Sequence, residues 1–255
     1  MEKELLSYVK KELDLVEDSI YLLDSKAGDV TGDGIEDNIY LIGNKEDNDA
    51  IFAENITLVV QNGATGRYIS VSLETDSGYG SRLFIGDFTK NGVADVKVSI
   101  DSGGSGGVAY YYIYSFNGRS LELIFDFEEF NQNYEYKVNY RDFYKVEVIN
   151  KTLGKIFVID ISYRDAEYLS EIYYAEGRLK EPIEGDVLPL GGLFPIVRDE
   201  RKDTYDLFAI QRIIGRYNAD GLGYAQTFLT WDRNEFLPTN FEVALLGQEI
   251  DDQIL

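Results

Sequence analysis

Asp29, Thr31, Asp33 and Asp37 place oxygen-bearing side chains at alternate positions of one short stretch, and Gly34 follows the third. A hard cation such as calcium takes about six to eight oxygens at roughly 2.3–2.6 Å, which a tight loop pointing alternate residues inward can supply. Ile35 would add its carbonyl oxygen, and Gly34 permits a turn that a side chain would resist. The same grammar recurs at Asp87, Thr89, Asn91 and Asp95, with the carbonyl of Val93 in the place of Ile35. Two calcium sites are therefore expected. Thr31 and Thr89 are uncharged, which lowers the ligand charge and with it the affinity. The plainer alternative is a pair of acidic β-turns without metal, since Asp and Gly are ordinary turn formers.

Residues 28–37 and 86–95 match position for position, and an apolar strand follows each, which marks a repeated supersecondary unit. A third copy is read at 197–206 and a fainter one at 142. In the third, a cation falls where a ligand belongs: Arg198 and Lys202 in one register, Arg201 in the other. These would neutralise Asp199, Asp203 and Asp206 without a metal, so no calcium is expected there.

The elements that must hold these loops are strands. Stretches such as 56–60, 68–73, 109–114, 144–149 and 155–161 alternate with period two, are rich in Tyr, Val, Ile and Phe, and are divided by turn signals including Asn62-Gly63 and Asn117-Gly118. The expected fold is all-β, built of repeated four-stranded antiparallel units in a β-propeller-like array, closed or incomplete. Units are placed near 28–85, 86–141, 142–196 and 197–255, within one domain spanning 23–255. Ahead of it, Leu5, Leu6, Val9, Leu13 and Val16 recur at helical spacing, so residues 1–22 are read as an amphipathic helix packed on the domain.

The two loops resemble the calcium loops of FG-GAP or VCBS-type repeats, the units of integrin-like propellers, over residues 28–43 and 86–101 and more weakly over 197–213. That resemblance implies loops that bind calcium and hold blades in shape. An EF-hand is a poorer comparison, because Tyr40 and Val98 stand where its twelfth-position Glu belongs. The whole chain also resembles a small family of Firmicutes proteins of about this size, some associated with the spore coat, which implies assembly onto that coat.

Composition narrows the chemistry further. The chain carries 46 Asp and Glu against 24 Lys and Arg, a net charge of −22, and has neither His nor Cys. Disulfides, thiolate chemistry, His-based general-base catalysis and the usual zinc sites are excluded. The charge disfavours a nucleic-acid partner, whose phosphates need Lys and Arg. No apolar run reaches the length of a membrane span, and Glu2, Lys3 and Glu4 stand where a secretory leader would be apolar, so a cytoplasmic origin is expected.

The glycine-rich stretch at 101–107 precedes a strand rather than a helix, so it is read as a flexible connection and not as a phosphate cradle; residues 76–81 are read as a second loop of that kind. Tyr110, Tyr112 and Tyr114 are read as core residues before sugar platforms. The leading expectation is a non-catalytic calcium-binding structural or interaction module, with self-association through unpaired strand edges. A lectin-like carbohydrate-binding module is the alternative, and a polysaccharide-active enzyme the third.

Overall fold

The computed structural model describes residues 19–247 together with Leu5, Tyr8 and Lys11. A first sheet contains β1 (Ile20–Gly28), β2 (Asp37–Asn44), β3 (Phe52–Gln61), β4 (Tyr68–Ser72), β5 (Gly78–Gly86), β6 (Asp95–Asp101), β7 (Ala109–Phe116) and β8 (Leu121–Asp126). Helix α1 (Phe127–Asn133) leads to a second sheet of β9 (Tyr136–Arg141), β10 (Lys145–Asn150), β11 (Lys155–Asp160), β12 (Glu184–Ile196), β13 (Asp206–Ile214), β14 (Gly221–Asp232) and β15 (Glu235–Ala244). Helix α2 (Ala166–Ile172) sits between β11 and β12.

All strand pairs are antiparallel. The expectation of an all-β chain holds, but the propeller does not. Each meander is joined to the next by backbone hydrogen bonds: β3 pairs with β5 at Phe52 and Ala53, and β9 pairs with β12 at Glu184 and Gly185. Separate four-stranded blades therefore merge into one eight-stranded sheet and one seven-stranded, nearly closed barrel. Sequence spacing records where a meander begins; it does not record whether its edge is free.

The repeat itself survives inside this arrangement. The four-strand sets β1–β4, β5–β8 and β12–β15 each place a long loop between their first and second strands. The fainter copy at 142 is instead the tight turn between β9 and β10, where Phe143 and Tyr144 both adopt positive φ of 61°.

One apolar core runs between the sheets, from Leu58, Val98 and Ile113 on the first to Leu190, Leu207 and Leu229 on the second. A second fills the barrel around Val146, Val148, Ile213 and Phe241. Across the barrel's opening Phe241 of β15 meets Phe157 (5.5 Å) and Tyr136 (6.2 Å). At another point Tyr168 of α2 and Tyr140 of β9 both donate to the buried carboxylate of Asp220, at 2.8 and 3.1 Å.

The predicted N-terminal helix falls largely outside the described residues, but Leu5, Tyr8 and Lys11 are helical. Leu5 is buried in a cluster with Tyr40, Ile42 and Val59, and Tyr8 stacks on Tyr68 at 4.8 Å. Both faces of β2 and β3 are thus covered, which is why β2 is almost wholly buried rather than alternating. Among the described residues no helix is long and apolar enough to cross a membrane.

Candidate functional site

The two chemistry-bearing loops are closed by equivalent strand pairs, Gly28 opposite Asp37 and Gly86 opposite Asp95. In the first, Asp37 is fully buried and turns back on its own loop. Its Oδ2 accepts the N–H groups of Val30 (3.0 Å) and Thr31 (2.9 Å), and its Oδ1 accepts the N–H of Gly63 (2.9 Å) and the Thr31 hydroxyl (3.3 Å). Asp29 accepts from the N–H groups of Gly32 (2.7 Å) and Gly34 (2.8 Å). Asp33 accepts from the Ile35 N–H (2.9 Å) and the Asn62 amide (2.8 Å), and these bonds, Asn62 first, hold its carboxyl below the ordinary range. Ile35 itself is exposed.

The second loop repeats the pattern. Asp95 Oδ2 accepts from the Phe88 and Thr89 N–H groups (2.8 and 2.9 Å), and the Thr89 hydroxyl donates to it at 3.2 Å. Asp87 accepts from Asn91 (3.2 Å) and Gly92 (2.9 Å), and Asn91 accepts from the Val93 N–H (2.8 Å). Here burial outweighs the hydrogen bonds and pushes the Asp95 carboxyl upward. Among the described residues no three carboxylates converge as a metal-holding group. Calcium would compete with the loops' own N–H groups for the same lone pairs.

The fold then brings the loops together. A Cβ on Gly32 would lie 2.9 Å from the Val93 side chain, so the first two loops touch. The third, at 197–205, joins them: the Tyr205 N–H donates to the Asp87 carbonyl (2.9 Å), and the Tyr205 ring packs on Phe84 (5.1 Å). Asp29, Asp87, Lys90 and Asp203 border a common cleft of about 580 Å³. Within the third loop Arg201 forks onto Asp199 at 2.8 and 3.0 Å, and Arg198 lies 3.3 Å from Asp206. Asp206, buried like Asp37 and Asp95, also meets Lys90 of the second loop at 2.7 Å and the Thr230 hydroxyl at 2.7 Å.

A larger cleft, about 710 Å³, lies at the seam between the sheets, and Thr89 and Asn91 reach its margin. A row of rings floors it: Trp231 to Phe236 (5.0 Å), Phe236 to Phe125 (5.8 Å), Phe125 to Phe130 (5.8 Å) and Phe130 to Tyr134 (4.8 Å). The row crosses from the β14–β15 hairpin to β8 and α1. Asp126 anchors α1 by capping it, accepting from the Glu128 N–H at 2.6 Å. Glu122, Glu129, Glu235 and Arg233 are among the residues that line the cleft, and all four are exposed. The volume lies within the range of about 300–1,000 Å³ typical of ligand sites.

Sequence reasoning missed this cleft, because its rings come from segments far apart in the chain. The single Trp was the available signal. Asn62 reads in the sequence as a turn former, yet its amide braces Asp33 and Thr31 from the next hairpin. The stretch at 101–107 does connect two strands, β6 and β7, and it packs against β12: a Cβ on Gly191 would come within 2.7 Å of the Gly107 carbonyl. The expected loop at 76–81 largely belongs instead to the bulged start of β5, which pairs with β6 and lays Tyr79 against Gly103. Tyr112 and Tyr114 are core residues; so is Tyr111 on the opposite face of β7, because β12 covers that face and accepts its hydroxyl at the Gly191 carbonyl (3.2 Å).

Residues 134–244, from the end of α1 through β15, match the YybI C-terminal domain family. The chain is 42% identical over 226 residues to the uncharacterized protein YybI of Bacillus subtilis (strain 168), across 89% of this chain and 86% of that one. No solved structure matches the chain. The comparisons support this family and not an FG-GAP repeat. Given that identity over nearly the whole of both chains, this chain belongs to the YybI family.

Proposed function

We propose that the protein is a non-catalytic structural and interaction module that docks a partner in the cleft between its two sheets. One observation carries the reading: a row of five contacting rings, including the chain's single Trp, floors a cleft at the junction of two hydrogen-bonded sheets. Aromatic side chains bring a large contact area at low entropic cost, which is why they anchor binding surfaces. In this reading the carboxylate-braced loops hold the hairpins in register while the seam does the binding. Assembly onto a spore coat, implied by the overall sequence resemblance, belongs to the same proposal.

Trp231 makes the test direct, since the protein's indole emission reports on that cleft alone. A docked partner should shift or quench the emission, and Trp231→Ala should abolish binding while leaving the thermal melt close to wild type. Binding unaffected by Trp231→Ala would remove the cleft from the proposal. The lectin-like alternative, which would use the Gly/Ser loops at 76–81 and 101–107 and exposed tyrosines, is separated from it by a glycan array with and without calcium.

A second reading makes the loops calcium sites. What favours it is that Asp29 and Asp87, the first carboxylates of both loops, line one cleft with Asp203. Calorimetric titration of the wild type beside Asp33→Ala/Asn91→Ala, with melts at each end point, decides it. Two ions that raise the melting temperature, with both effects lost in the double variant, would establish structural calcium. No heat and no shift would leave the loops as hydrogen-bonded braces.

A further inference from the structure

The seam cleft is bounded by two sheet ends. β8 hydrogen-bonds to β7 alone in the sheet ladder, and β15 to β14 alone. Successive residues of a strand point to opposite faces. A cleft lined by five in a row on β8 (122–126) and by consecutive residues at the start of β15 therefore runs along the strands' edges as well as over a face. Such an edge is a template for an added strand.

The two edges are not equivalent. β15 carries Pro238 opposite Leu229, and proline has no N–H to donate to an incoming strand. β8 carries no proline, and Leu123 beside the cleft is exposed. The rim charge is equally asymmetric: Glu122, Asp126, Glu129 and Glu235 line the cleft, and Arg233 is the one cation among its lining residues. The net charge of −22 extends the same field over the molecule. A second copy of this chain would bring that charge against itself.

We infer that the cleft takes an extended, lysine-bearing segment of a partner protein, paired along the free edge of β8 with its amines against the carboxylate rim. This inference rests on the docking reading proposed above and names the partner's chemistry. Ladder bonds to β8 supply affinity without regard to sequence. Lysine stems lie over Trp231 and Phe236, where an ammonium also gains from the ring faces, and their charges reach Glu122, Glu129 and Glu235.

The test uses the full chain and a short synthetic peptide alternating Lys with Val, followed by Trp231 emission and calorimetry at low and high salt. The Lys peptide should bind and weaken with salt. Its Glu counterpart, and a version N-methylated at alternate backbone positions, should each lose about tenfold or more in affinity, equivalent to about 1.4 kcal/mol. Glu122→Gln/Glu129→Gln/Glu235→Gln changes exposed residues only, should melt like the wild type, and should lose a similar factor for the Lys peptide.

Equal binding of the methylated peptide or of spermine would overturn the ladder and leave only an ammonium site. If the Glu peptide or chitohexaose moves Trp231 and the Lys peptide does not, the basic partner falls and the docking cleft stands. Silence of Trp231 to every probe removes both. A concentration-dependent dimer that Leu123→Pro dissolves would make a second copy the occupant and overturn the inference.

Discussion

Asp37, Asp95 and Asp206 each begin a strand after a connecting loop, and all three are buried, yet they are satisfied by different partners. Asp37 and Asp95 accept backbone N–H groups of the loops they close. Asp206 instead meets Arg198, Lys90 and the Thr230 hydroxyl. A loop braced by its own N–H groups, with Gly63 of the adjoining hairpin added at Asp37, stays within its own sheet. A carboxylate braced by Lys90 ties its loop to a different sheet, so the same Asp becomes a device for docking sheet against sheet. One repeat thus yields two local staples and one long-range clasp.

The largest expected effect separates the two kinds of brace. Asp37→Ala leaves the N–H groups of Val30, Thr31 and Gly63 without their acceptor inside a folded loop, and should cost about 3–4 kcal/mol. Asp206→Ala frees Lys90 and Arg198, whose side chains are 36% and 44% exposed and can rehydrate; it should cost about 1–2 kcal/mol. Urea unfolding midpoints at unchanged slope measure both. Equal losses would erase the distinction.

The neighbouring lysine sharpens it. Lys97 of β6 is only 4% exposed; its amine donates to Ser99 Oγ at 2.6 Å and lies 4.7 Å from the Tyr111 ring centroid. Burial, with Arg82 nearby, pushes its pKa down to about 7. The unfolded chain binds this proton more tightly than the folded one, so stability rises with pH between about 7 and the ordinary lysine value of about 10.4. Lys97→Met should therefore stabilise by about 2–4 kcal/mol below pH 7, and the gain should vanish as pH approaches about 10. A gain independent of pH would mean that packing, not the buried charge, is being measured. Where Lys90 meets a carboxylate the cation holds the fold; where Lys97 meets a hydroxyl and a ring it costs stability.

How much of this was legible depends on range. The loops, their repetition and the strands around them are local, and the alternation and turn residues expose them. The third loop was legible in its charge: Arg198 and Arg201 do sit on Asp206 and Asp199, as cations at ligand positions imply. Lateral joining of meanders was not legible, because Phe52 and Ala53 carry no mark that they will pair with Tyr79 and Gly78. Nor was the cleft, whose rings are assembled from β8, α1 and the β14–β15 hairpin. Nor was the burial of both faces of β6, because Val96, Val98 and Ile100 alternate with Lys97 and Ser99 as on a half-exposed strand, yet Lys97 and Ser99 are buried as well.

Lys90 is where the repeat departs from itself, and it offers the finest test. It occupies the place of Gly32 and keeps a left-handed backbone, φ 60° against 76°, at a cost of about 1 kcal/mol for a side chain there. The compensation visible in the structure is its amine, which reaches Asp206 and Thr230 across the seam. A cycle of Lys90→Met and Asp206→Asn keeps a side chain at both positions and should return a coupling of about 0.5–1 kcal/mol at low salt. Because Lys90 is partly exposed, that coupling should fall by about half or more at high salt, as screening shortens the reach of its charge. The cost of Asp37→Ala, set by buried backbone donors, should not change with salt. If the coupling persists at high salt, the clasp works through the shape of the seam rather than its charge, and the third loop is braced in the same sense as the other two.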